Sequence, residues 1–352
     1  MHPPGVLHPA TLAVMNSQQR SRARRTQRIS GPAELVQAIP YLLGFHPQRS
    51  LVLVGLHGGQ LVVTARVDLS DVHAGAVRHT LEAMARGGTT SVVAAVFDDD
   101  VVPAGELRYR PLVATVYGTA ERVGCDVVDV LRVSGGRWWS LTCSDPDCCP
   151  SDGRDLPDAP SPFTAAAAYD GVVALPDRAA LAALLDPLPP PDRGALDAAI
   201  EAAEHAAVQA TLDAHAGRWQ RSVKRAIFSA ARASEEVDWQ GTDDANVPRF
   251  GVALGVRAIR DAVWVAVDDG RIEGRPLWRD LARRLPSPYD AAPLFLFGWA
   301  SWRSGDGTLA GIAAERAVAS DPEYSPADLL LAAVAQGADP RHTPKVRLGR
   351  SA

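Results

Sequence analysis

The sequence is poor in lysine and has no long hydrophobic run. Among its 36 basic residues only Lys224 and Lys345 are lysine, and the net charge is −5. An arginine bias in an acidic chain points to a GC-rich genome rather than to nucleic-acid binding. No stretch of about 18 apolar residues occurs, so we expect no membrane-spanning helix. Apolar residues 5–15 precede the first arginines, the reverse of a secretory signal, and we therefore expect a cytoplasmic protein.

Acidic side chains are missing from the first 33 residues, which contain five arginines. Removing those five from the 36 basic residues leaves 31 against 41 acidic residues, a net charge of −10. A body of that charge does not suit a duplex-binding surface. Residues 1–30 show no hydrophobic period and are expected to be a disordered basic arm. This arm is the one part of the chain for which we consider nucleic acid as a partner.

Residues 31–185 alternate between helical and strand-like patterns. Gly58-Gly59 and Gly135-Gly136 stand between strand-like segments and predict two β-hairpins. The continuous apolar run at residues 91–97 is typical of a central strand that is buried on both faces. Helical patterns flank that run. The prediction is an α/β domain with a mixed sheet, β-hairpins and flanking helices.

A proline-rich linker at residues 186–191 ends the α/β pattern, because four prolines in five residues favour a stiff extended spacer. Residues 192–340 have helical patterning, and residues 341–352 form a short tail. Residues 291–324 match the tetratricopeptide pattern except at Ser301, where that pattern has a large aromatic residue. We predict an all-α domain with one tetratricopeptide-like helix hairpin, which could contact a protein partner.

Four cysteines are present, and three of them follow the second predicted hairpin. Cys143, Cys148 and Cys149 offer three thiols, one fewer than a closed zinc site requires. If the turn centres on Gly135-Gly136, Val133 faces Trp138, and counting back along the strands places Cys125 near Asp147. A zinc site of Cys125, Cys143, Cys148 and Cys149 is one interpretation. Buried structural thiols and a redox pair are the others, since the Cys-x4-Cys-Cys spacing is not that of a zinc knuckle.

Polar side chains near the strand ends suggest a second candidate site. Asp98 follows the buried run at its carboxyl end, where α/β sheets commonly bind ligands. Trp138 and Trp139 should point to opposite faces, so that one of them is free to line a pocket. An internal ion-pair network is the competing interpretation. The candidate ligand-binding residues are His46, Arg49, Arg66, Asp68, Asp98 and Trp139.

Three segments carry a family resemblance: residues 39–52, residues 65–69, and residues 132–140 with the cysteines that follow. Over about residues 30–340 the chain resembles an actinobacterial family known only as domain of unknown function 4192. The resemblance implies an intracellular actinobacterial protein. It implies no activity, substrate or cofactor.

Familiar catalytic signatures such as HExxH, GxSxG, GxxxxGKS and GxGxxG are absent from the sequence. We therefore favour a non-catalytic protein whose α/β domain binds a ligand or a metal ion while its helical domain meets a partner. The alternative is a metal-dependent hydrolase or transferase with an acidic site near Asp68 and Asp98.

Overall fold

The computed structural model describes residues 11–13, 29–99 and 109–347. Most of the predicted basic arm and the last five residues of the predicted tail lie outside the described residues. The chain divides into two compact units. The sheet unit comprises Met1–Leu181, Ser304–Thr308 and Ala333–Asp339, and the helical unit comprises Ala182–Arg303, Leu309–Ala332 and Pro340–Ala352.

The sheet unit is built on one mixed β-sheet, as predicted. Its strands are β1 (Thr11–Ala13), β2 (Ser50–His57), β3 (Gln60–Asp68), β4 (Ser91–Phe97), β5 (Asp126–Ser134), β6 (Arg137–Ser140) and β7 (Arg154–Asp155). They lie in the order β1-β3-β2-β4-β5-β6-β7. The β4–β5 pair is parallel, and the other neighbouring strands are antiparallel.

Helices alternate with the strands along the chain, and two of them contribute to the hydrophobic core of the sheet unit. The helices between the strands and up to the unit boundary are α1 (Pro32–Leu43), α2 (Ala74–Arg86), α3 (Arg110–Val123), α4 (Pro162–Tyr169) and α5 (Arg178–Ala183). Apolar residues of α2 and α3 pack with alternate residues of β2, β3, β4 and β5 in one buried cluster. Each strand therefore presents one apolar face to these two helices.

Both predicted hairpins are confirmed. In the turn between β5 and β6, Gly135 and Gly136 have φ values of 55° and 76°, which side chains with a Cβ rarely adopt. The register pairs Val133 with Trp138, as the glycine positions predicted. Trp138 and Trp139 consequently point to opposite faces of the sheet.

The helical unit follows the predicted all-helical pattern. The helices that lie wholly or mostly in it are α6 (Arg193–Leu212), α7 (Ala216–Ala233), α8 (Asn246–Gly255), α9 (Arg257–Asp268), α10 (Arg275–Arg284), α11 (Ala291–Arg303), α12 (Gly307–Ser320) and α13 (Ser325–Ala335). Gly298 of α11 lies against Ala313 and Leu330, where a Cβ would stand 3.1 and 2.9 Å from their side chains. The likeness of residues 291–324, which contain α11 and α12, to a tetratricopeptide helix hairpin stays a prediction. In the described part of the chain, no helix combines the length and the apolar character needed to cross a membrane.

Candidate metal centre

Three cysteine thiols converge on the loop that connects β6 to β7. The sulfur atoms of Cys143, Cys148 and Cys149 all lie within 4.8 Å of one another. Cys148 is exposed, and the other two are half-buried. Sulfurs bound to one zinc ion at about 2.3 Å cannot be more than about 4.6 Å apart, so the cluster needs little movement to hold such an ion.

Hydrogen bonds to side chains shape the first half of this loop. The backbone amide of Cys143 donates to Ser140 Oγ over 3.1 Å. The hydroxyls of Ser140 and Thr142 each donate to Asp129 Oδ1 over 2.7 Å. Asp129 lies on β5, so a strand of the sheet fixes the position from which the loop departs.

Arg154 anchors the second half of the loop. Its Nε donates to the carbonyl of Cys148 over 2.6 Å, and its Nη2 donates to the carbonyl of Asp147 over 3.1 Å. Arg154 lies on β7, where it is the strand-pairing partner of Trp138 on β6. Between the two anchors, the amide of Cys149 donates to the carbonyl of Asp145 over 2.7 Å and closes a turn. These bonds bring residues that are five and six positions apart to a common point.

The pKa values of two of the clustered thiols shift in opposite directions. Hydrogen bonds from the Asp145 backbone, and then from Cys149, lower the pKa of Cys143 below its usual value. Burial, and then hydrogen bonds to Cys143 and Cys148, raise the pKa of Cys149 to about 12. Cys149 therefore keeps its proton and donates it toward a neighbouring sulfur. An incoming metal ion would displace that proton, because thiolates are the ligand form.

Cys125 does not join this cluster, which corrects the expected four-cysteine set. It is 5% exposed, belongs to the core of the sheet unit, and its thiol donates to the carbonyl of Thr89 over 3.5 Å. Burial, with Asp126 adding to it, raises its pKa. The counting that placed Cys125 near Asp147 assumed that β6 continues alongside β5. Instead β6 ends at Ser140, opposite Leu131, and the chain turns into the loop.

The second set of predicted site residues lies at one edge of the sheet but does not converge. Ser50, the first residue of β2, pairs with Asp68 on one side and with Phe97 on the other, which places Asp68 and Asp98 at the same edge. Strand pairing from β3 through β2 and β4 to β5 aligns Arg66 with Leu131, so Arg132 is one position away from the residue aligned with Arg66. Because successive side chains alternate, the Arg66 and Arg132 side chains lie on opposite faces.

Each of the two aspartates is paired with an arginine on its own face. Arg66 makes a two-pronged ion pair with Asp68, and its Nε donates to Ser50 Oγ over 2.8 Å. On the other face Arg132 Nε donates to Asp98 Oδ2 over 3.0 Å, and both side chains are at most 5% exposed. The acidic site expected near Asp68 and Asp98 is therefore two separate ion pairs.

The remaining predicted residues are dispersed around this edge. His46 is exposed, and its backbone amide donates to the carbonyl of Leu175 over 2.8 Å. Arg49 has a positive φ of 44°, and its carbonyl accepts from the amide of Leu69. Trp139 stacks against the Arg132 guanidinium, whose central carbon lies 4.7 Å from the ring centroid. Among the six predicted residues, Arg66 and Asp68 therefore contact each other, and Asp98 and Trp139 share Arg132 as a partner.

Comparison with protein families bears on the whole chain. A family model described as "Domain of unknown function (DUF4192)" matches residues 32–341. The chain belongs to this family. The matched range contains all the candidate site residues. No curated protein and no solved structure matches the chain.

In this DUF4192 chain, three residues that hold the candidate site residues in place were not predicted from the sequence. Arg154 anchors the cysteine loop, while Arg132 and Tyr109 hold Asp98, whose carboxylate accepts from the Tyr109 hydroxyl. Arg132 had a visible signal, because a charged residue within the apolar pattern of a strand needs a buried partner. Arg154 and Tyr109 lie in turn-rich or irregular sequence, where no local pattern predicts their contacts.

Proposed function

We propose that this DUF4192 protein binds a thiophilic metal ion, zinc in the first instance, through Cys143, Cys148 and Cys149. The observation that carries the proposal is the convergence of three thiols within 4.8 Å on a loop that is fixed at both ends. Thiolates prefer soft or borderline ions such as zinc, whereas calcium and magnesium prefer oxygen ligands. When bound, the ion would link the two halves of the loop.

Metal binding without catalysis is favoured over a hydrolase at the acidic edge of the sheet. A hydrolytic metal site needs carboxylates or imidazoles that face one another across a substrate. Asp68 and Asp98 lie on opposite faces, and each carboxylate is already occupied by an arginine. The pKa of Asp98 also lies below its ordinary value. Burial alone would raise this pKa, but hydrogen bonds from Arg132, Tyr109 and Ser134 together lower it by more than burial raises it. That carboxylate is a poor general acid at neutral pH.

In this proposal the helical unit, with its tetratricopeptide-like hairpin, contacts a protein partner. Val208 and Leu212 lie one turn apart on α6 and are 54% and 72% exposed. We propose these two side chains as part of the surface that meets the partner. We place the protein in the cytoplasm, where thiols stay reduced and available to a metal ion.

The test is the metal content of protein purified in its native state without chelators. We expect close to one zinc ion per chain in the wild type, and its loss in Cys143→Ser. Cys125→Ser is the matched control, because it removes a thiol from the same unit but not from the cluster. A chelator should lower the unfolding temperature of the wild type and of Cys125→Ser, but not of Cys143→Ser. Wild-type protein without metal, or Cys143→Ser with the full amount, would refute the proposal.

A further inference from the structure

The exposed face of the cysteine cluster is open to small oxidants. Of the three clustered cysteines, Cys148 is the exposed one, whereas Cys125 is buried in the core. Exposed cysteines are the ones that dissolved oxidants reach, so a peroxide in water meets Cys148 first. Two further sulfurs lie within 4.8 Å of it.

Only one of these neighbours is suited to form a disulfide with Cys148. Cys149 is its sequence neighbour, and consecutive Cα atoms are held about 3.8 Å apart, below the usual disulfide range of about 4.4–6.8 Å. Cys143 comes from the other half of the loop, and its sulfur already lies near that of Cys148. The Arg154 contact to the Cys148 carbonyl and the Ser140 contact to the Cys143 amide hold the two halves together.

We propose that the loop is a peroxide-responsive dithiol in which Cys148 and Cys143 form a reversible disulfide. In the first step the Cys148 sulfur attacks hydrogen peroxide, the O–O bond breaks, and a sulfenic acid and one water are formed. In the second step the Cys143 sulfur attacks the sulfenic sulfur, the S–O bond breaks, and a second water leaves. Two thiols are thus oxidised to one disulfide, while one peroxide is reduced to two waters. A small dithiol reductant reverses the change.

One consequence rests on the proposed metal function. A disulfide between Cys143 and Cys148 removes two of the three clustered ligands and leaves Cys149 alone. One thiolate does not hold a zinc ion against water, so oxidation would release the metal. The loop would then connect the redox state of its surroundings to its metal content. Disulfide formation itself does not need the metal.

The chain offers a direct way to map the bond. Trp138 to Arg154 is one tryptic peptide that contains Cys143, Cys148 and Cys149, and Cys125 lies in another. A protease that cuts before aspartate then separates Cys143 from Cys148 and Cys149, because Asp145 and Asp147 lie between them. A bond to Cys143 keeps the two pieces linked, whereas a bond between Cys148 and Cys149 does not.

The experiment treats the full chain with hydrogen peroxide, once metal-free and once zinc-loaded. We expect the tryptic peptide to lose two hydrogens, about 2 Da, with its aspartate-cut pieces linked until a reductant is added. Cys143→Ser should leave a trappable sulfenic acid on Cys148, whereas Cys149→Ser and Cys125→Ser should still form the bond. Zinc-loaded wild type should release its ion as the bond forms.

The outcomes separate the two proposals. A chain that binds no zinc but forms the linked peptide refutes the metal function and supports the dithiol. A chain that binds zinc but keeps its thiols, or is oxidised only to sulfinic and sulfonic acids, refutes the dithiol. A bond that survives in Cys143→Ser assigns the wrong partner and also refutes it.

Discussion

Gly153 is the residue at which the cysteine loop returns to the sheet, and its geometry leaves no room for a side chain. Its φ is +76°, and a Cβ would stand 2.4 Å from Cε2 of Trp139. The same indole donates its Nε1 hydrogen to the carbonyl of Ser151 and lies beneath the Arg132 guanidinium. A single residue therefore connects the path of the loop to the stacking of Trp139.

Replacing Gly153 by alanine should destabilise the sheet unit and loosen the cysteine loop. The change combines a strained backbone with a clash against a half-buried indole, and we expect a loss of about 2–3 kcal/mol in the free energy of unfolding. Gly171→Ala is the matched control: its φ is +75°, but nothing lies within 4 Å of the added Cβ. The control should cost about 1 kcal/mol, which is the backbone part alone. Denaturant titration measures both, and equal losses would mean that Trp139 simply moves aside.

The buried pair of Arg132 with Asp98 gives a second prediction for a single residue. Arg132→Ala leaves the Asp98 carboxylate buried without its main partner, and should cost about 3–5 kcal/mol near neutral pH. Arg78→Ala, which breaks an exposed pair with Glu82 at 3.9 Å, is the control and should cost at most about 0.5 kcal/mol.

The cost of Arg132→Ala should also depend on pH. The folded-state pKa of Asp98 is lowered, so its ionised form stabilises the wild type above the unfolded value of about 3.9, and this contribution fades as pH falls through the folded pKa. Arg132→Ala lacks this contribution at neutral pH, whereas in acid the wild type has lost it as well. The difference between the two proteins should therefore narrow below about pH 4. A difference that is constant from pH 3 to pH 7 would contradict this assignment.

At the scale of elements, the end of α9 is tied to α11 and to the segment that follows α13. Asp268 is 1% exposed, and its carboxylate accepts from Arg303 Nε over 2.5 Å and from Trp299 Nε1 over 2.9 Å. Its other oxygen accepts from the amide of Val346 over 2.6 Å. Arg303 in turn donates to the carbonyls of Pro340, Thr343 and Pro344. One ion pair thus joins two helices and the segment at residues 340–346.

Arg303→Ala should be among the more damaging single changes in the helical unit. It removes the arginine partner of the buried Asp268 carboxylate and frees three backbone carbonyls, for an expected cost of about 3–5 kcal/mol. Arg271→Ala is the control, because its pair with Asp269, the residue next to Asp268, has side chains that are 56% and 39% exposed. That control should cost less than about 1 kcal/mol. Hydrogen exchange should show residues 340–346 losing protection in Arg303→Ala alone.

How far an element could be predicted depended on how local its determinants are. The β5–β6 hairpin was predictable with its register, because two glycines define the turn. The end of β6 was not, because Ser140-Leu141-Thr142 has no breaker, and the bonds that turn the chain come from Asp129 on the neighbouring strand.

The same distinction explains the outcome for the candidate sites. Cys143, Cys148 and Cys149 lie close together in sequence, so their grouping was predictable, whereas Cys125 depended on an extrapolated register. The separation of Asp68 from Asp98 depends on the register between β3, β2 and β4, which residue patterns do not define. Alternation along single strands predicts faces, but only the assembled sheet shows which faces coincide.

At the scale of the whole molecule, we propose that the sheet unit and the helical unit unfold separately. Each has a buried core of its own, and the two cores are built from different parts of the chain. Arg132 and Asp98 belong to the sheet unit, and Arg303 and Asp268 belong to the helical unit. The two variants therefore act as labels for the two cores.

Calorimetry of the wild type, both single variants and the double variant tests this proposal. Arg132→Ala should lower the temperature of one transition and Arg303→Ala that of the other, each by several degrees, since 1 kcal/mol corresponds to about 2–4 °C in domains of this size. If the units are independent, the loss in the free energy of unfolding of the double variant should equal the sum of the two single losses within about 0.5 kcal/mol. A chelator should affect only the transition that Arg132→Ala moves, because the cysteine cluster lies in the sheet unit. If both variants shifted one shared transition, the chain would be a single cooperative unit, since neither core could then unfold while the other stayed folded.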